Sequence, residues 1–154
     1  MNEILTSTYN YKFIDYNYPT CYDIASKLTH KYSIKTGTTD TDHLIFGYNP
    51  NILIGIWSGF DDNRKSDSGE GKYIKKMWVE IAENYNKNKK DKWYKIPNNV
   101  VGTLVNPISG TPAENNDKNA TVFYYIKGTE PNYENKTLED LIPTVKQEKE
   151  TTQG

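Results

Sequence analysis

The chain has 154 residues, with 19 Lys and Arg against 20 Asp and Glu and a formal net charge of -1. This balance gives no broad electrostatic attraction to nucleic acid or to anionic lipid, so neither partner is expected. One cysteine excludes an internal disulfide, and with two histidines it offers no zinc-finger spacing. We therefore expect no metal and no cofactor. No apolar run approaches the ~18 residues of a membrane span, and no secretory signal is evident, so neither a membrane segment nor a signal peptide is expected.

The segment before the first predicted strand is polar and rich in tyrosine. Residues 1–8 hold Ile4 and Leu5 between polar neighbours, which predicts the last turns of a helix. Residues 9–29 are irregular, and Pro19 does not fit the interior of a strand or a helix. We expect a loop whose aromatic side chains lie across the domain.

The first predicted strand covers residues 31–36. Apolar and polar residues alternate here, with Tyr32 and Ile34 on one face and Ser33 among the residues on the other. This period of two predicts a half-buried strand, and residues 37–42 that follow predict a turn.

Two further predicted strands, residues 43–48 and 52–60, are apolar on both faces and flank the turn-forming Asn49-Pro50-Asn51. The connections are much shorter than the dozen or so residues that a parallel crossover needs. We therefore predict a three-stranded antiparallel sheet in chain order. Strands that are apolar on both faces need cover on both sides.

A helix over about residues 71–86 is predicted to supply one cover. Its apolar residues recur at helical spacing and form a single stripe, in which Met77 and Trp78 are expected to be core residues facing the sheet. The stripe consists of Ile74, Met77, Trp78, Ile81, Ala82 and Tyr85.

Beyond Trp93 the pattern changes. Residues 100–105 and 121–126 predict short strands of a small β appendage, joined by a segment rich in Gly, Pro and Asn. Thr137 to Asp140 has the form of a capping box and predicts at most a short helix. Residues 143–154 lack a hydrophobic pattern and are expected to be disordered.

Together these elements predict an α+β fold, with an antiparallel sheet packed against helices and a small C-terminal β appendage. The predicted division is a first part over residues 1–92, a β-rich extension over 93–131 and a tail over 132–154.

Four short stretches carry a resemblance to a known family. They are KTGTT at 35–39, followed by Asp42, then FGYNP at 46–50, IWSGFDD at 56–62 and IKGTEP at 126–131. In order and spacing they resemble the end of the transpeptidase domain of penicillin-binding proteins, and the class A bifunctional type is most similar. The resemblance extends over most of residues 1–131. It implies the C-terminal half of the penicillin-binding transpeptidase fold.

Two departures from the family pattern are visible. Leu44 stands where many relatives have Trp. More important, no serine lies in the family's Ser-x-x-Lys or Ser-x-Asn pattern; the serines are Ser7, Ser26, Ser33, Ser58, Ser66, Ser68 and Ser109. The resemblance therefore implies a C-terminal portion that is inactive alone and needs the missing N-terminal part of the transpeptidase domain as its partner.

The resemblance also implies roles for the motif. Lys35 would place a cation near the terminal carboxylate of a peptidoglycan stem peptide or a β-lactam, and Thr36 and Thr38 would orient that carboxylate. The backbone N–H of Thr38 would be one oxyanion donor, and Gly37 would let the substrate backbone lie against the strand. Lys35 and Thr38 are thus the candidate catalytic residues. The parent protein would act at the outer face of the bacterial cell membrane.

Other interpretations of these residues remain open. Lys35 can be a solvated lysine that protects a strand edge from aggregation. The chain can be a cell-wall or carbohydrate binding module that uses a tyrosine surface. It can also be a truncated gene product without a function, which predicts poor folding. The candidate tyrosines are Tyr9, Tyr11, Tyr16, Tyr18 and Tyr22.

Overall fold

The structure is a computed structural model that describes residues 1–114, 117–118 and 120–132. Two short 3-10 helices, Ile4–Tyr9 and Tyr11–Phe13, come first in the chain. The other elements are helices α1 (Tyr22–Ala25) and α2 (Glu70–Asn86) and strands β1 (Ser33–Thr38), β2 (Asp42–Asn49), β3 (Ile52–Gly59), β4 (Val100–Val105) and β5 (Thr121–Ile126). The predicted short helix at Thr137 and the predicted disordered tail lie outside the described residues.

The predicted antiparallel sheet is confirmed. Strands β1, β2 and β3 pair in chain order, and Thr36, Ile45 and Ile56 lie opposite one another in the middle of the sheet. Strands β4 and β5 form a separate antiparallel pair, which is the predicted appendage. Strand β1 runs from Ser33 to Thr38, so it begins and ends two residues later than predicted, and Gly37 and Thr38 lie in the strand instead of the predicted turn.

Helix α2 covers one face of the three-stranded sheet, which we name the inner face. The Trp78 indole lies against Gly47 of β2 and donates a hydrogen bond to the Ile54 carbonyl at 3.1 Å. Because Gly47 lacks a side chain, the helix can approach the sheet closely. The buried core is completed by α1, β1 and the rest of α2; it comprises Cys21, Ile24, Tyr32, Ile34, Ile45, Ile74, Trp78, Val79 and Ala82.

The predicted apolar stripe of α2 is only partly correct. Ile74, Trp78 and Ala82 are buried, but Met77 is 52% exposed, so its assignment to the core was wrong. The sheet under α2 is small, so the part of the helix surface that touches it is narrower than the apolar stripe, and Met77 lies outside this contact. Two outer members of the stripe, Ile81 and Tyr85, are exposed for the same reason.

The N-terminal segment is a 3-10 helix that packs on the beginning of β1. The Tyr9 hydroxyl donates to the Tyr32 carbonyl at 2.8 Å and accepts from the Tyr32 N–H at 3.3 Å. The Ser33 hydroxyl donates to the Asn2 carbonyl at 2.9 Å. Ser33 is therefore buried, although the alternation placed it on a polar face. The predicted loop over residues 9–29 contains the second 3-10 helix and α1.

We expect stability to fall in alkaline solution because of Tyr9. Burial raises the pKa of its hydroxyl to about 12, above the value of about 10 in an unfolded chain. The neutral phenol thus stabilises the fold fully below about pH 10, and this contribution is lost as the pH rises through about 12. Urea unfolding should show that Tyr9→Phe costs about 1 kcal/mol at pH 9.

The same Tyr9→Phe variant supplies the control for the pH effect. It removes the titrating group and leaves the other tyrosines and lysines in place. Between pH 10 and pH 12 the free energy of unfolding of the unaltered chain should fall more steeply than that of the variant. Parallel curves for the two proteins would contradict the assignment to Tyr9.

Candidate functional site

The Lys-Thr-Gly-Thr motif forms the last four residues of β1. Lys35, Gly37 and Thr38 are exposed, and Thr36 is half-buried. Strand β1 stands first in the sheet, so β2 pairs with one of its edges. Within the described residues no strand pairs with its other edge, which we name the open edge.

The hydrogen-bond pattern shows which backbone groups reach the open edge. The Thr39 N–H donates to the Asp42 carbonyl at 2.9 Å, immediately after the pair Thr38 and His43. In an antiparallel pair, residues with bonded and non-bonded backbone groups alternate. The N–H and C=O groups of Thr36 and Thr38 therefore point away from β2 and toward the open edge.

The side chains of the motif are divided between the two faces of the sheet. Lys35 lies opposite Phe46 on the face that α2 leaves uncovered, which we name the outer face. Thr38 lies opposite His43 on the inner face. The Lys35 ammonium donates to the Thr36 carbonyl at 2.5 Å, which places the cation beside the open edge. The motif thus places one cation on the outer side of the open edge and the Thr36 and Thr38 hydroxyls on the inner side, with outward-pointing backbone groups along the edge between them.

A network around Asp42 holds the turn that follows the motif. The Asp42 carboxylate accepts hydrogen bonds from the Thr41 hydroxyl at 2.5 Å and from the Trp57 indole at 2.8 Å. The Thr39 hydroxyl is a third donor at 3.2 Å. The Thr41 bond contributes most to holding the pKa of Asp42 below its usual value, and the Trp57 bond follows. This positioning role was not assigned from the sequence, although an Asp in a Thr-rich turn is the signal that indicates it.

His43 is buried and lies next to Thr38 in the sheet register. Its Nδ1 atom has no hydrogen-bond partner among the described residues. Its neighbour on β3, Ser58, donates a hydrogen bond to the Glu70 carboxylate at the start of α2. The hydrogen bond between Ser58 and Glu70 connects β3 to α2 near the end of β1. No hydrogen bond between His43 and a serine is found among the described residues, so these side chains do not form a pair of nucleophile and general base.

The outer face of the sheet is apolar and exposed. Phe46 lies across Gly55, and Trp57 lies across Gly59, so both rings lie against neighbouring backbone. Leu53 is 68% exposed on the same face. The sequence predicted cover on both sides of the sheet. The described residues cover the outer side near Ser33 and Tyr48, where Asn2 and Tyr94 contact it, and leave Phe46, Leu53 and Trp57 exposed. Adjoining exposed apolar residues of this kind are typical of an interaction surface.

The tyrosines of the alternative binding surface do not converge on one site. The Tyr9 hydroxyl is hydrogen-bonded to the backbone of Tyr32, just before β1, whereas Tyr11 and Tyr16 are each 65% exposed. Tyr18 and Tyr22 pack edge to face with ring centres 5.6 Å apart.

In the described part of the chain, no group of three or more His, Cys, Asp or Glu residues is arranged to hold a metal ion. No described helix combines the length and the apolarity of a membrane span.

Comparison with known proteins decides the relationship. No family model matches the chain. Penicillin-binding protein 2D of Bacillus subtilis (strain 168) is 33% identical to it over 129 residues, which are 83% of this chain. The chain is related to the penicillin-binding proteins. The resemblance stated from the Lys35 motif and its surroundings is thereby confirmed.

A solved structure of a penicillin-binding protein supports the fold. Penicillin-binding protein 1A of Haemophilus influenzae matches 74% of this chain with a TM-score of 0.62 and 26% identity. The chain spans about a fifth of the length of each relative, 19% of the Bacillus protein and 18% of the Haemophilus protein. The mixed α/β architecture with antiparallel sheets is therefore shared with penicillin-binding proteins.

Proposed function

We propose that this chain is the C-terminal portion of a serine-type D,D-transpeptidase that crosslinks peptidoglycan stem peptides. Its part in the reaction is to supply the strand on which the substrate docks. The open edge of β1 is the observation that carries this proposal, because it presents the backbone groups of Thr36 and Thr38 beside the exposed Lys35. An extended peptide can bind such an edge as an additional strand.

Each motif residue has a distinct task in acyl transfer. Lys35 places a positive charge near the terminal carboxylate of the stem peptide or of a β-lactam, while the hydroxyls of Thr36 and Thr38 orient that carboxylate. The Thr38 N–H stabilises the oxyanion that develops when the amide is attacked. Gly37 has open space beyond a 3.6 Å contact with Leu44, so substrate backbone can lie close to the strand.

The attacking serine comes from outside this chain, since none of its serines stands in Ser-x-x-Lys or Ser-x-Asn. The partner is the remainder of the transpeptidase domain. Its apolar residues cover the outer face at Phe46, Leu53 and Trp57 and bring the serine to the open edge. The complete protein acts at the outer face of the bacterial cell membrane, and this chain alone has no transpeptidase activity.

Labelling with a fluorescent penicillin tests this proposal. The isolated chain should show no covalent adduct on a denaturing gel, because the nucleophile is absent. A chimera of the Bacillus subtilis relative, in which residues 31–62 of this chain replace the matching segment, should be acylated. The unaltered relative is the control for both samples.

Two results would contradict the proposal. A stable penicillin adduct on the isolated chain would show that the nucleophile lies within it. A folded chimera in which Lys35→Met leaves the acylation rate unchanged would favour the alternative role of Lys35, that of a solvated edge lysine. Lys31→Met in the same chimera is the matched control, because Lys31 lies in the exchanged segment but outside the motif.

A further inference from the structure

A groove of about 1080 Å³ lies between the N-terminal segment, residues 93–97 and the β4–β5 hairpin. We name it the aromatic groove. Its volume is at the upper end of the range for small-molecule sites. None of the motif residues 35–38 lines it, so it is separate from the proposed docking strand.

The β4–β5 hairpin forms the floor of the groove, and residues from both of its faces line it. Leu104 lies opposite Val122, and Gly102 lies opposite Tyr124, whose ring is 3.3 Å from the place where a Cβ on Gly102 would stand. The ring therefore rests across the glycine. Burial raises the pKa of the Tyr124 hydroxyl, and the negative charge of Glu3 adds a smaller effect in the same direction. The floor offers ring and aliphatic surface.

One wall is held in place around Glu3. The Lys31 ammonium lies 2.6 and 2.7 Å from the two Glu3 oxygens, and the Trp93 indole donates to the same carboxylate. Lys31 also lies 4.5 Å from the centre of the Trp93 ring. Tyr94 packs edge to face on Trp93, with ring centres 5.4 Å apart. The aromatic wall is thus ordered before any ligand binds, which lowers the entropic cost of binding.

The opposite wall is joined to the hairpin. Phe13 stacks on Phe123, with ring centres 6.1 Å apart and planes inclined by 4°. The Lys12 ammonium donates to the Ala120 carbonyl at 2.5 Å. These contacts connect the N-terminal segment to the hairpin across 108 positions of sequence.

The groove carries an excess of positive charge. Its charged side chains are Glu3, Lys12, Lys31 and Lys95. Glu3 is paired with Lys31. In the part of the chain that the structure describes, no carboxylate forms an ion pair with Lys12 or Lys95. The two lysines can therefore receive an anionic group of a ligand.

We propose that the aromatic groove binds an oligosaccharide that carries carboxylate groups. The Trp93, Tyr94 and Tyr124 rings offer amphipathic surfaces on which the C–H faces of sugar rings pack. Lys12 and Lys95 receive the carboxylates. This proposal does not depend on acyl transfer.

Calorimetric titration of the full 154-residue chain tests the proposal. The probes are a muramic-acid tetrasaccharide, a hyaluronan tetrasaccharide and neutral chitotetraose. At least one of the two carboxylated sugars should bind saturably and at least tenfold more tightly than chitotetraose. The two carboxylated probes distinguish a lactyl ether carboxylate from a ring carboxylate.

Matched variants assign the binding to the groove. Lys95→Met and Tyr94→Ala should each raise the dissociation constant about tenfold. Lys72→Met on α2 and Tyr16→Ala, both at exposed positions outside the groove, should leave it unchanged. Circular dichroism identifies any variant that fails to fold. If Tyr94→Ala fails to fold, Lys95→Met still tests the proposal, because Lys95 is exposed.

Four results would overturn the proposal. The first is the absence of saturable binding by both carboxylated sugars. The second is equal affinity for chitotetraose. The third is an unchanged dissociation constant for Lys95→Met in a folded protein. The fourth is saturable binding of a further probe, hexaglutamate, in place of the sugars, which would assign the groove to an acidic peptide.

Discussion

Gly47→Ala is expected to destabilise the chain by about 3 kcal/mol, at the upper end of the range for overpacked cores. An added Cβ would stand 2.1 Å from Cζ2 of Trp78, whose ring is fully buried and cannot move away without leaving the core. A loss of this size is a large fraction of the 5–15 kcal/mol that is typical of folded domains. Urea unfolding followed by circular dichroism measures it.

Gly37→Ala is the matched control for this prediction. Its added Cβ would meet Leu44 at 3.6 Å, an ordinary contact, so the free energy of unfolding should change by less than about 0.5 kcal/mol. Similar effects of the two substitutions would mean that the close approach of Trp78 to Gly47 does not hold the sheet and α2 together.

Thr38→Pro in the Bacillus subtilis chimera is expected to lower the rate of penicillin acylation 10² to 10³-fold, the effect of removing one oxyanion donor. Proline has no N–H, and its ring is tolerated where the N–H points out of the sheet. The Thr38 N–H points to the open edge, so the strand should still pair with β2. Stopped-flow acylation measures the rate, and thermal unfolding checks the fold.

Two further chimeras separate the backbone donor from the hydroxyl of Thr38. Thr38→Ser keeps both groups and should retain most of the rate. Thr38→Val keeps the N–H and should lose less than Thr38→Pro. An acylation rate that is unchanged in a folded Thr38→Pro chimera would exclude this N–H as a donor. The roles of Lys35, Thr36 and Gly37 likewise remain predictions.

The three-stranded sheet could be predicted because its signals are local. Short connections permit only antiparallel neighbours, and Asn49-Pro50-Asn51 marks the hairpin between β2 and β3. The strands β4 and β5 followed from their apolar runs. Trp78 was assigned to the core correctly because its position is central in the α2 stripe, whereas Met77 lies beside the narrow contact with the sheet.

The detailed geometry of the site required the structure. A sequence pattern predicts that residues 31–36 form a strand, but it does not tell which backbone groups bond to β2. That alternation depends on the register of Thr38 with His43. The aromatic groove was not predicted either, because Glu3, Lys31 and Trp93 are far apart in the sequence. The predicted division near residue 92 stays a prediction.

The three tryptophans each occupy a different environment. Trp78 is fully buried, Trp57 is 50% exposed on the outer face, and Trp93 lines the aromatic groove. Three single-tryptophan chains, with phenylalanine at the other two positions, would therefore give independent emission spectra. Docking of a partner domain should shift the Trp57 emission to shorter wavelength and shield it from acrylamide. A ligand in the groove should instead alter the emission of Trp93, so one spectroscopic method distinguishes the two events.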